Sequence, residues 1–107
     1  MREELEQKIK AFAGQNQEKV VQWRRHFHQN PELSFEEFDT SDYIAARLQE
    51  MGYEVKRNIG GTGVIAELDT GRAGRHIAFR ADMDALPILE ETGLAFESEK
   101  AGLMHGC

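Results

Sequence analysis

The sequence predicts an α/β fold in which helices come first and strands follow. Apolar residues recur at helical spacing as far as Met51, and after Gly52 they change to short runs bounded by glycine. With 40% hydrophobic and 30% charged residues and no low-complexity stretch, the composition is that of a packed globule. At 107 residues the chain has the size of one domain or part of one. A chain of this size buries roughly 60–70% of its unfolded surface.

Leu5, Ile9 and Phe12 lie on one helical face, Gly14 breaks the pattern, and Val20, Trp23 and Phe27 resume it. Two helices or one interrupted helix fit this spacing. The run ends near Gln29, because Pro31 disfavours helical dihedrals at Asn30. Pro31-Glu32-Leu33 then reads as a linker. Ser34 and Glu37 have capping-box spacing, and Ile44, Leu48 and Met51 form a stripe that Gly52 terminates in a left-handed conformation. Tyr53, Val55 and Arg57 alternate with charged neighbours as a strand. Gly60-Gly61-Thr62-Gly63 is a turn and not a phosphate loop, since it lacks the lysine and leads into a strand. Val64 to Leu68 is the next strand. Asp69 to Gly74 has turn chemistry, so Val64 to Phe79 is expected to contain an antiparallel hairpin whose second strand holds His76 to Phe79. Beyond Pro87 the chain reads as loop, with a short strand possible at Leu94 to Phe96.

The formal net charge of −6 argues against a nucleic-acid partner, and Arg24-Arg25 is too small a basic patch to reverse that. No segment has the character of a signal peptide or membrane span. Cys107 is the lone cysteine and has no internal disulfide partner, which agrees with a reducing, cytoplasmic setting.

Few residues offer chemistry. His105 and Cys107 are the side-chain types that bind zinc-class ions, although two groups do not close a site and a chance pairing is the alternative. Asp82 and Asp84, two apart, could share a cation or simply cap a turn, and Arg80 could pair with either. His26 and His28 point to different helix faces, poor geometry for one ion. His28 reads as a packing or hydrogen-bonding residue at a helix end, and Trp23 and Phe27 as core.

Arg24-Arg25-His26-Phe27-His28-Gln29-Asn30-Pro31-Glu32-Leu33-Ser34-Phe35-Glu36-Glu37, Gly61-Thr62-Gly63-Val64, Arg80-Ala81-Asp82-Met83-Asp84-Ala85-Leu86-Pro87, Glu90-Glu91-Thr92-Gly93 and Met104-His105-Gly106-Cys107 form an ordered series. It resembles the amino-terminal part of the M20-family metallopeptidases, in the amidohydrolase branch with hippurate hydrolases, N-acyl-amino-acid deacylases and indoleacetyl-amino-acid hydrolases. The resemblance implies that residues 1–107 are the amino-terminal segment of a zinc-peptidase-like catalytic domain. They would supply helices followed by part of its mixed β-sheet, with the rest of that domain and the lid and dimerisation domain absent.

It further implies a pair of divalent metals (zinc, manganese or cobalt) that activate a water to attack the amide of an N-acyl amino acid or small peptide-like substrate. Cys107 is the metal ligand carried over, His105 a neighbour, and Asp82 the aspartate that supports the metal site from behind the ligands. Arg80 marks the cysteine-using branch and is not a ligand. The partner histidine, the glutamate base and later ligands have no counterpart here, so this chain alone is expected to be inactive and to hold metal weakly. The competing expectation is a non-catalytic interaction module. Metal-free acid–base catalysis by Asp82 and Asp84 is a third possibility. Strands belonging to a larger sheet would leave Ile77, Phe79, Leu86 and Ile88 partly uncovered, which predicts homo-oligomers or self-association.

Overall fold

The computed structural model describes residues 1–107 in the order α1 (Arg2–Gln29), α2 (Phe38–Glu50), β1 (Glu54–Ile59) and β2 (Gly63–Glu67). Helix α1 is continuous, and Gly14 lies inside it with open space around its Cα. A glycine in a helix interior costs about 1 kcal/mol, too little to interrupt a ladder with several turns on either side. The expected break is therefore absent. The helix ends where expected, at Asn30, whose backbone N–H donates to the His26 and Phe27 carbonyls and whose side-chain amide donates to the His26 carbonyl.

The start of α2 differs from the capping box. Glu37 is the residue preceding the helix, and the two free amides of its first turn, Asp39 and Thr40, donate to the Glu32 carboxylate at 3.2 and 2.6 Å. Ser34 instead donates to Asp84 Oδ2 at 2.6 Å. A carboxylate satisfies two orphan N–H groups at once and complements the positive end of the helix, which a serine hydroxyl cannot do. Burial opposes ionisation of Glu32, but the bonds from Thr40 and Asp39 outweigh it and leave the carboxyl below its ordinary pKa. The Pro31-Glu32-Leu33 linker is thus structural: Pro31 is fully buried, and Leu33 forms a parallel bridge with Ala85.

Helix α2 closes as the sequence predicts. Gly52, at φ 93°, donates to the Gln49 carbonyl, and Tyr53 donates to that of Leu48, the paired bonds of a left-handed helix stop. Strands β1 and β2 pair antiparallel, Glu54 opposite Glu67 and Val55 opposite Ala66, with an irregularity between Lys56 and Ile59. The connecting turn is pinned to α2 by Thr62 Oγ1, which donates to buried Glu37 Oε1 at 3.3 Å.

The hairpin expected within Val64 to Phe79 does not form, and the hairpin present is β1–β2. His76 to Phe79 has no strand partner; His76 is exposed, Ile77 is 74% exposed and Phe79 97%. A lone extended segment has no ladder to donate into, so sequence propensity cannot make it a strand. The turn before it is real, with Asp69 Oδ1 accepting from the Gly71 amide and Thr70 Oγ1 from that of Arg72. Leu94 to Phe96 likewise forms no strand. The remaining bridges are Leu33–Ala85, parallel, and Leu86–Met104, antiparallel, the beginnings of a mixed sheet.

Only nine residues are buried, so the core is small. The radius of gyration is 16.6 Å, against about 13 Å for a compact domain of this length. The excess comes from α1, whose first half projects from the body with Leu5, Ile9 and Phe12 each more than half exposed.

Candidate active-site cleft

The Ala81-Asp82-Met83 segment and the Met104-to-Cys107 terminus are brought together by reciprocal backbone bonds between Leu86 and Met104, at 2.9 and 3.0 Å. The Ala85 amide donates to the Glu32 carbonyl at 2.7 Å, which fastens the first segment beneath the helix junction. The result is a cleft of about 340 Å³ with Arg24, Phe27 and His28 of α1 and Thr40 and Ile44 of α2 on one side, and Ala81, Asp82, Met83, His105 and Cys107 completing it. Asp82 and Cys107, the two site residues expected from the sequence, thus line one cavity.

His28 is buried at the end of α1, and its Nε2 lies 2.8 Å from Glu90 Oε1. The same Glu90 carboxylate accepts from the Thr92 hydroxyl and from the Ser98 amide. Those bonds, Thr92 first and then Ser98, outweigh desolvation and combine with His28 to bring the Glu90 pKa down to about 2. The hydrogen-bonding role expected for His28 at a helix end is present. Its partner was not legible, because no spacing rule links a helix residue to a loop carboxylate so far along the chain.

His105 Nε2 is buried without a hydrogen-bond partner. Burial lowers the His105 pKa, the neighbouring His28 adds to this, and Asp84 opposes it, so the neutral imidazole is favoured. Asp82 is exposed and accepts from Arg80 at 2.9 Å. Asp84 is held by Ser34, so Asp82 and Asp84 are engaged separately and do not share a proton or a ligand in this structure. Both line a second, shallower groove of about 290 Å³ with Phe35 and Thr62. His26 stacks on Tyr43 at 3.9 Å between centroids, on a different face from His28. Phe27 packs edge-on against Tyr43 at 5.4 Å, whereas Trp23 is only half-buried beneath Lys19.

The donor set has the chemistry of a soft divalent metal: a thiol at Cys107 and an unpartnered imidazole nitrogen at His105. No three His, Cys, Asp or Glu side chains come together in a geometry that could hold an ion. These residues therefore do not complete a metal site by themselves.

No family model matches the sequence. Among curated proteins, the chain is 48% identical over 84 residues to the hippurate hydrolase of Campylobacter jejuni, covering 78% of this chain and 22% of that protein. It is 42% identical over 101 residues to the N-acyl-L-amino acid amidohydrolase of Geobacillus stearothermophilus, covering 94% and 27%. Its structure superimposes with a TM-score of 0.75 and 44% identity on a dinuclear metal-binding M20-family peptidase of Bacillus subtilis, over 81% of this chain and 25% of that one. The chain spans about a quarter of the length of these relatives. It belongs to the M20 family of amidohydrolases and peptidases, of which it represents that share.

Proposed function

We propose, from its place in the M20 family, that this chain forms one wall of an active site that hydrolyses the amide bond of N-acyl amino acids or small peptide-like substrates. The single observation that carries the reading is the convergence of Asp82 and Cys107 on one cleft, 25 positions apart in sequence, beside an unpartnered imidazole. Cys107 is the proposed metal ligand. A divalent metal of the zinc, manganese or cobalt kind, two in the complete site, would supply Lewis acidity and lower the pKa of a water.

The chain's own residues do the rest. Asp82, paired with Arg80, lines the same cleft as Cys107, and in this reading its carboxylate orients a metal ligand. Phe27, Ile44 and Met83 give the cleft its apolar lining. Neutral His105 can accept or donate a hydrogen bond at Nε2 without adding charge. Residues 1–107 alone lack the donors for a closed metal site and are inactive in this reading.

The test is release of glycine from N-benzoylglycine with added zinc or manganese. The 107-residue chain should give none, while a longer expression of the same reading frame should be active and lose activity in Cys107→Ser. Turnover by the short chain would overturn the inactivity. A longer protein that binds partners but hydrolyses no N-acyl amino acid would favour the interaction module, for which the exposed Ile77 and Phe79 supply an apolar surface.

A further inference from the structure

His28 stands in the last turn of α1 with its side chain only 10% exposed, yet it lines the cleft. Its ring is held from two sides. Nε2 lies 2.8 Å from Glu90 Oε1, and Phe96 packs edge-on against the ring at 5.9 Å between centroids. Glu90 is an ionised carboxylate and can only accept, because the Thr92 hydroxyl and the Ser98 amide donate to it and bring its pKa down to about 2. The hydrogen between His28 and Glu90 therefore sits on Nε2. In a neutral imidazole protonated at Nε2, the lone pair is on Nδ1. His28 Nδ1 makes no hydrogen bond within the chain, and it is not one of the two atoms sealed from solvent without a partner, Ser41 Oγ and His105 Nε2. An acceptor of fixed orientation is thus left open on the cleft wall.

We propose that His28 Nδ1 accepts the amide N–H of an N-acyl amino acid, which makes His28 a specificity-determining residue for amides over the corresponding esters. The inference rests on the hydrolase reading of the cleft and names the substrate atom that the end of α1 meets. At neutral pH the simplest such substrate offers acceptors at its carbonyl and its carboxylate, and one donor, the amide N–H. Only that donor complements a lone pair. Glu90 is a positioning residue, because the bond it accepts at Nε2 decides which ring nitrogen faces the ligand. An ester analogue lacks the donor and leaves Nδ1 unpaired in the complex.

The test is long-range proton–nitrogen NMR of the histidine rings of the 107-residue chain at neutral pH. Spectra are taken alone and with N-benzoylglycine or O-benzoylglycolate, which differs only by an oxygen in place of the amide N–H. Free His28 should show a protonated Nε2 and a bare Nδ1. N-benzoylglycine should shift Nδ1 and bind about three- to tenfold more tightly than the ester, the worth of one neutral hydrogen bond. His28→Gln keeps a nitrogen for Glu90 but puts no acceptor at the Nδ1 position, and should bind both compounds alike. Glu90→Gln should release the single tautomer and narrow the preference. A protonated Nδ1 in the free parent chain would overturn the proposal whether or not the variants fold. So would a preference that survives in His28→Gln with parental circular dichroism. Equal binding of both compounds, with shifts at Asp82, His105 and Cys107, removes the proposal and leaves the hydrolase reading standing. If neither compound perturbs any cleft resonance, that reading fails and the proposal with it.

Discussion

His28 Nε2 and Glu90 Oε1 meet at 2.8 Å across 62 positions of sequence, joining the end of α1 to the loop beyond Pro87. The carboxylate is held by three donors if His28 is counted, and the imidazole wall of the cleft is fixed by it. Loop 90–98 has no strand or helix of its own, so this bond and the Glu99 amide, which donates to the Gln29 carbonyl at 2.9 Å, anchor it to the body.

The bonds that the Glu90 carboxylate accepts, from the Thr92 hydroxyl first and then the Ser98 amide, with His28 adding to them, make stability fall in acid. The folded Glu90 pKa of about 2 lies below its ordinary value of 4.5, so its contribution is fully present above pH 4.5 and is lost as pH falls toward 2. Glu32, also lowered, acts in the same direction. Thermal melts between pH 7 and 2 should show the parent losing stability through this window. Glu90→Gln should be less stable at pH 7, with the gap closing toward pH 2. A constant gap would contradict the assignment.

Glu32→Ala removes the acceptor for two amides of α2 and should cost about 1 kcal/mol, as loss of a helix cap does. Ser34→Ala removes only an exposed bond to Asp84 and should cost less. Urea unfolding of the two variants ranks them. The reverse order would restore Ser34 as the cap.

Two glycines are required by geometry. Gly52→Ala forces a side chain into a left-handed backbone and should cost about 1–2 kcal/mol. Gly63→Ala places a Cβ against the Ile59 carbonyl oxygen and should disturb the β1–β2 turn. Denaturant melts, with backbone NMR shifts of β1 and β2, check both.

Ile77 and Phe79 stand in solvent, each leaving about 1.5–3 kcal/mol of burial unrealised. Sedimentation should show concentration-dependent association, reduced in Ile77→Ser/Phe79→Ser. A parent that stays monomeric at high concentration would remove this surface as a cause of association.

What could be read from the sequence followed from local rules. The end of α1 before Pro31, the Gly52 stop and the glycine turn depend on residues within a few positions of one another. Gly14 interrupts the apolar spacing locally, but the continuity of α1 depends on the turns on either side of it. Glu32 as the cap, His28–Glu90 and the failed strand at Ile77 to Phe79 depend on partners that no local pattern names. Asp82 and Cys107 are expected at the site from motif order, and that they line one cleft shows only in three dimensions.

The role of Cys107 is tested most directly by cobalt(II) binding to a longer, active expression of this reading frame, followed by thiolate-to-metal charge-transfer absorption. The predicted result is a saturable band that tracks activity and disappears in Cys107→Ser. A band and activity that persist unchanged in Cys107→Ser would contradict the placement of a metal ligand at this position.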